Sequence, residues 1–73
     1  MKILVIEIQT MADGTVASIV TVCDTRMQAE STFHSILAAA AISELPCHAA
    51  VMITSEGLIL NDQHYLHDVP EGE

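Results

Sequence analysis

The sequence predicts a single α+β domain of order ββαββ: a four-stranded antiparallel sheet with one helix packed on one face. Three observations carry this. Two β-branched runs flank an Asp-Gly pair near the start. A stretch of helical periodicity ending in an alanine run fills the middle, and two further strand-like runs flank Ser55-Glu56-Gly57. With 73 residues, 51% of them apolar, the chain has surface enough for one core and too little length for two.

The first strand is read over Lys2–Thr10, where Ile3, Val5, Ile6 and Ile8 disfavour a helix through their restricted χ1. Asp13-Gly14 tolerates positive φ and predicts a tight two-residue hairpin turn into the second strand, Val16–Cys23. Asp24 and Thr25 then offer acceptors to the free amides of a helix start, and Thr25 with Gln28 has capping-box spacing. From Arg26 to about Ser43, Ala29, Phe33, Ile36, Leu37 and Ala40 recur at helical spacing. The helix stops at Leu45-Pro46 because a residue before proline avoids the α region. Cys47–Thr54 reads as the third strand, Ser55-Glu56-Gly57 as a turn, and Leu58 to about Leu66 as the fourth strand. The acidic run Asp68–Glu73, with Pro70 inside it, predicts a flexible tail after a domain spanning residues 1–67.

A helix of roughly 18 residues is about 27 Å long. It returns the chain to the far end of the sheet, so the third strand runs in the direction of the second. Placing it beside the first strand gives the order 2-1-3-4 with a right-handed crossover; 2-1-4-3 is the alternative. Cys23 and Cys47 then lie at opposite ends. The two-residue turn pairs Ile8 with Ile19, Ile6 with Thr21 and Leu4 with Cys23 on the face expected to receive the helix. On the other face it pairs Val5 with Val22, Glu7 with Val20, Gln9 with Ser18 and Met11 with Val16. One helix leaves that second face uncovered. Val5, Val16, Val20 and Val22 are therefore the expected interface of a homodimer, since two-fold homo-oligomers are the commonest assemblies. Sheet extension through an edge strand, and a smaller helix patch of Ala38, Ile42 and Leu45, are rival interfaces.

Ten acidic residues against Lys2 and Arg26 give a net charge of -8, which opposes direct binding to nucleic-acid phosphates or an anionic membrane. No apolar run approaches the roughly 20 residues that cross a bilayer. The N-terminus lacks a basic, signal-like start, so a cytoplasmic location is expected. Cys23 and Cys47 are too few and too far apart for a disulfide framework or a CxxC pair and read as reduced structural thiols.

The residues assign no catalytic group, cofactor or metal. Glu30 and His34 stand one helical turn apart, and with Ser31 and Ser35 they form a polar flank that is the expected partner-binding surface. A Glu-His pair also suits acid-base chemistry, although no nucleophile accompanies it. His64-x-x-His67 resembles a metal-binding spacing, yet residues three apart on a strand point to opposite faces. Adding His48, Cys47 or Asp68 completes a site only on paper. Gly14 and Gly57 belong to no phosphate-binding loop, and Phe33 and Tyr65 are too few aromatics for a base-stacking platform.

The stretch Gln28-Ala29-Glu30-Ser31 with His34-Ser35-Ile36-Leu37-Ala38-Ala39-Ala40-Ala41, preceded by Ile8-Gln9-Thr10 and Ala12-Asp13-Gly14-Thr15-Val16-Ala17, resembles a group of short uncharacterised proteins of Firmicutes prophages and mobile elements. The likeness covers most of residues 3–67. It implies a bacterial or phage cytosol and an accessory role, and carries over no site residue. The expected function is thus a non-enzymatic homodimeric accessory or protein-interaction module. Two alternatives stand beside it: an acidic nucleic-acid mimic that inhibits a basic protein, and a small metal-dependent or acid-base enzyme.

Overall fold

Four strands and one helix alternate as the β-branched and alanine-rich runs dictate: β1 (Ile3–Thr10), β2 (Val16–Cys23), α1 (Arg26–Ala41), β3 (Cys47–Thr54) and β4 (Ile59–Leu66). The computed structural model describes residues 2–67, and the tail expected over Asp68–Glu73 lies outside them. The sheet order is β2-β1-β3-β4 with every neighbouring pair antiparallel, which is the expected α+β topology. Cys23 pairs with Ile3 and Cys47 with Thr10, so the two free thiols stand at opposite ends.

The β1–β2 register differs by one residue from the expectation. Leu4 faces Val22, Ile6 faces Val20 and Ile8 faces Ser18. The cause is the turn. The Met11 amide donates to the Thr15 carbonyl at 2.8 Å, the Gly14 amide donates to the Met11 carbonyl at 3.0 Å, and Gly14 has φ +92°. This is a three-residue loop, a type I turn closed by a left-handed glycine, rather than the two-residue turn that Asp-Gly suggests. The Asp13 carboxylate reinforces it by accepting from the Thr15 amide at 2.9 Å. The second hairpin repeats the device: the Thr54 amide donates to the Leu58 carbonyl, the Gly57 amide donates to the Thr54 carbonyl, and Gly57 has φ +97°.

A slip of one residue exchanges the faces of a strand. On β1, Ile3 and Val5 turn toward the helix, while Leu4, Ile6 and Ile8 turn away; β2 keeps its expected orientation. Val5 is fully buried in the core and does not belong to the uncovered face on which the sequence placed it. The core beneath α1 is built from Ile3, Val5, Cys23, Ala29, Phe33, Ala50 and Met52, with Ile36, Leu37 and Leu60 packed at its margin. α1 carries the chain from the Cys23 end of the sheet to the Cys47 end, and at 16 residues it is about 24 Å long, close to the span of an eight-residue strand. Ile19 of edge strand β2 shares the helix side by register yet stays 55% exposed, because α1 lies over the central strands.

Thr25 caps α1 as expected, accepting from the Gln28 amide at 3.1 Å, while the Gln28 side chain reaches back to the Asp24 amide at 3.0 Å. The helix ends at Ala41 rather than Ser43. Its Ala40 carbonyl is met by the His67 ring at 2.8 Å, which ties the end of β4 to the last turn. At the other end Lys2 pairs with Asp24, joining the start of β1 to the β2–α1 junction.

A Cβ at position 14 meets nothing within 4 Å, so Gly14→Ala isolates backbone strain from steric clash. It is expected to lower unfolding stability by about 1 kcal/mol, measured by urea denaturation followed by circular dichroism.

Candidate functional site

Register assigns every strand residue to a side, and the side opposite α1 is covered by no element of the described residues. The central strands place Leu4, Ile6 and Ile8 of β1 and Ala49, Val51 and Ile53 of β3 there, all only half-buried between their neighbours. The edge strands add Val16, Val20 and Val22 from β2, 62%, 52% and 60% exposed, with Ile59 and Leu66 from β4. Three of the four residues expected at an interface therefore stand on this face, without Val5. The uncovered side is more apolar than the sequence suggested, because the one-residue slip sends Glu7 and Gln9 to the helix side and brings Leu4, Ile6 and Ile8 in their place.

Polar groups on the uncovered face are few: Ser18, Thr10, Asp62 and His64 by register. Among the described residues Asp62 is its one carboxylate. The other described acidic groups lie elsewhere. Asp13, Asp24, Glu44 and Glu56 sit in connections, Glu30 on the helix and Glu7 on the covered side.

The covered side holds a polar cluster that the sequence did not announce. Glu7 of β1 and His48 of β3 meet at 2.6 Å between Glu7 Oε2 and His48 Nε2, and the Gln9 side-chain amide donates to the same oxygen at 2.9 Å. His48 is almost fully buried, and its Nδ1 has no hydrogen-bond partner among the described residues. The hydrogen bond from His48 holds the Glu7 carboxyl below its usual range, against the opposing effect of burial, and Gln9 adds to it. The pair has the form of an oriented base. It lies on the side of the sheet that α1 covers, with His48 almost fully buried and Glu7 half-buried. Only the β1–β3 register brings residues 41 apart together; the one sequence signal was a carboxylate within an otherwise apolar strand.

The residues of the expected partner-binding flank lie on α1. Ser31, His34 and Ser35 are exposed, and Glu30 is half-buried, bridging Arg26 at 2.9 Å and His34 at 3.3 Å. These are solvated i,i+4 pairs of small energetic weight. His64 and His67 do not converge, since His64 lies on the uncovered sheet face and His67 binds the helix end. Among the described residues no three His, Cys, Asp or Glu side chains gather as a metal site, and no helix is long and apolar enough to cross a membrane. Of the rival patch, Ile42 is 85% exposed and Leu45 half-buried.

No protein family model, curated protein or solved structure matches the chain.

The Glu7–His48 contact has a consequence for acid stability. A carboxyl whose folded pKa is depressed stabilises the fold above its unfolded value, near 4.5, and that contribution is lost as pH falls through the lower folded value. Wild-type stability in urea is expected to drop as pH falls below the unfolded value of 4.5, and Glu7→Gln to show a shallower drop. Exposed Asp13 and Asp24, held low by the Thr15 amide and by Lys2 respectively, contribute to both proteins alike. Equal slopes for the two proteins would show that Glu7 draws nothing from His48.

Proposed function

We propose that the protein is a small, non-enzymatic accessory module that works as a homodimer and presents the outer flank of α1 to a protein partner. The observation that carries this is the uncovered sheet face: two central strands and one edge strand that are mainly apolar, with polar Asp62 and His64 confined to the other edge, in a chain whose net charge is -8. Exposed apolar patches of this extent mark interaction sites. In a domain this small, the added burial is comparable with the whole folding stability.

The face suits a second copy better than water, and it leaves Glu30, Ser31, His34 and Ser35 pointing outward for a different contact. An enzymatic reading finds less support, because Glu7 and His48 are engaged with each other and with Gln9 on the helix-covered side, His48 almost fully buried. A nucleic-acid mimic requires carboxylates ranked at phosphate-like intervals. The described acidic groups instead scatter through four connections, both sheet sides and the helix.

Sedimentation velocity tests the reading. The wild type is expected to sediment as two chains at micromolar concentration. Val20→Glu, a substitution at an exposed position, is expected to weaken association by at least about tenfold with the far-UV circular dichroism unchanged. Ile42→Glu on the helix patch serves as the control and is expected to leave the dimer intact. A wild type that remains one chain at high micromolar concentration removes the proposal.

A further inference from the structure

We infer that two chains meet face to face through this sheet, about a two-fold axis lying between the sheets and at right angles to the strands, so that β4 lies over the partner's β4 in the opposite direction. This rests on the homodimer reading and goes beyond it by fixing the face and the orientation.

Area comes first. Four strands spaced about 4.8 Å apart, each eight residues long at about 3.3 Å per residue, present a face of roughly 19 by 26 Å. Two such faces remove about 1,000 Å² in projection alone, and side-chain relief adds more, which reaches the size at which specific interfaces begin. The helix patch around Ile42 and Leu45 offers only a small part of this.

Charge then selects the orientation. Across the sheet, Asp62 stands in one row with Val51, Ile6 and Val20, and His64 in the next row with Ala49, Ile8 and Ser18. An axis running between these two rows exchanges them. Asp62 then faces the partner's His64, and His64 faces the partner's Asp62, two reciprocal contacts from the one carboxylate and the one imidazole that the described residues place on the face. Stacked sheets lie about 10 Å apart and rotate by about 30°; the resulting offset at β4 is a few ångströms, within reach of both side chains.

The other two-fold, parallel to the strands, sets β4 over the partner's β2. Asp62 would then press on the partner's Val20, leaving a carboxylate desolvated without a partner. The perpendicular axis also places Ile6 over the partner's Ile8 and Val51 over the partner's Ala49, a large side chain against a small one, which lets the two layers interdigitate. The remaining described carboxylates stay outside the contact, so two acidic chains meet without opposing their charges. The product is an eight-stranded sandwich with one helix on each outer side.

Sedimentation equilibrium on four proteins at low salt and about pH 6, below the ordinary imidazole pKa, tests the orientation. His64→Asp sets carboxylate against carboxylate and Asp62→His sets imidazole against imidazole. Each is expected to raise the dimer dissociation constant about five- to tenfold. The exchange of both, D62H with H64D, re-creates the reciprocal pairs and is expected to return it to the wild-type value. Equal dissociation constants for all four proteins, or a double exchange as weak as the single variants, overturn the orientation while leaving the dimer standing. If Val20→Glu leaves the dimer intact as well, the chains join through another surface. A wild type that is monomeric throughout defeats the homodimer reading and this inference together.

Discussion

A single helix shields one side of a four-stranded sheet, and everything else in this protein follows from what that leaves bare. The covered side is complete: Phe33, Val5 and Met52 are fully buried between α1 and the two central strands. No second layer exists among the described residues to do the same for Leu4, Ile6, Val51 and Ile53. Full burial of such a side chain is worth on the order of 1.5–3 kcal/mol as an upper figure, and a domain of this length holds only about 4–11 kcal/mol in total. The bare face is therefore not a detail of the surface but a term as large as the stability of the fold itself.

Most of the architecture was legible in the residues, because local chemistry and global topology agree in this chain. β-branched runs gave strands, Thr25 and Pro46 bracketed the helix, and helix length set the direction of β3 and hence the strand order. Register was not legible, because Asp13-Gly14 fits two turns that differ by one residue. Asp-Gly supports a two-residue turn with both central residues at positive φ, and equally a three-residue loop with only the glycine there. The chain takes the second, with Gly14 alone at positive φ. That single residue moved Val5 into the core and Glu7 under the helix, and put Leu4, Ile6 and Ile8 on the bare side. Val16, Val20 and Val22 were placed correctly since β2 kept its orientation.

Polar groups divide between the two sides in a way that only register could reveal. Glu7, Gln9 and His48 form a connected cluster on the helix side, where a carboxylate is tolerable because an imidazole and an amide both meet it. A shift of β1 against β3 by one residue would turn Glu7 to the opposite side of the sheet and leave His48 buried without it, so the pair opposes register error at the sheet's centre. Among the described residues the opposite side has one carboxylate and one imidazole, both on the edge strand β4, away from the apolar centre. His67, which shares a metal-like spacing with His64 in the sequence, instead closes the helix end.

The central claim is that the bare sheet face is covered by the same face of a second chain. Methyl-resolved NMR with a soluble paramagnetic probe, recorded across a dilution series, reads that coverage directly. The methyl groups of Ile6, Val20 and Val51 are expected to be shielded at high concentration and to become accessible together on dilution, while those of Ile42 on the helix stay accessible throughout. Sheet-face methyl groups equally accessible at every concentration would contradict the account.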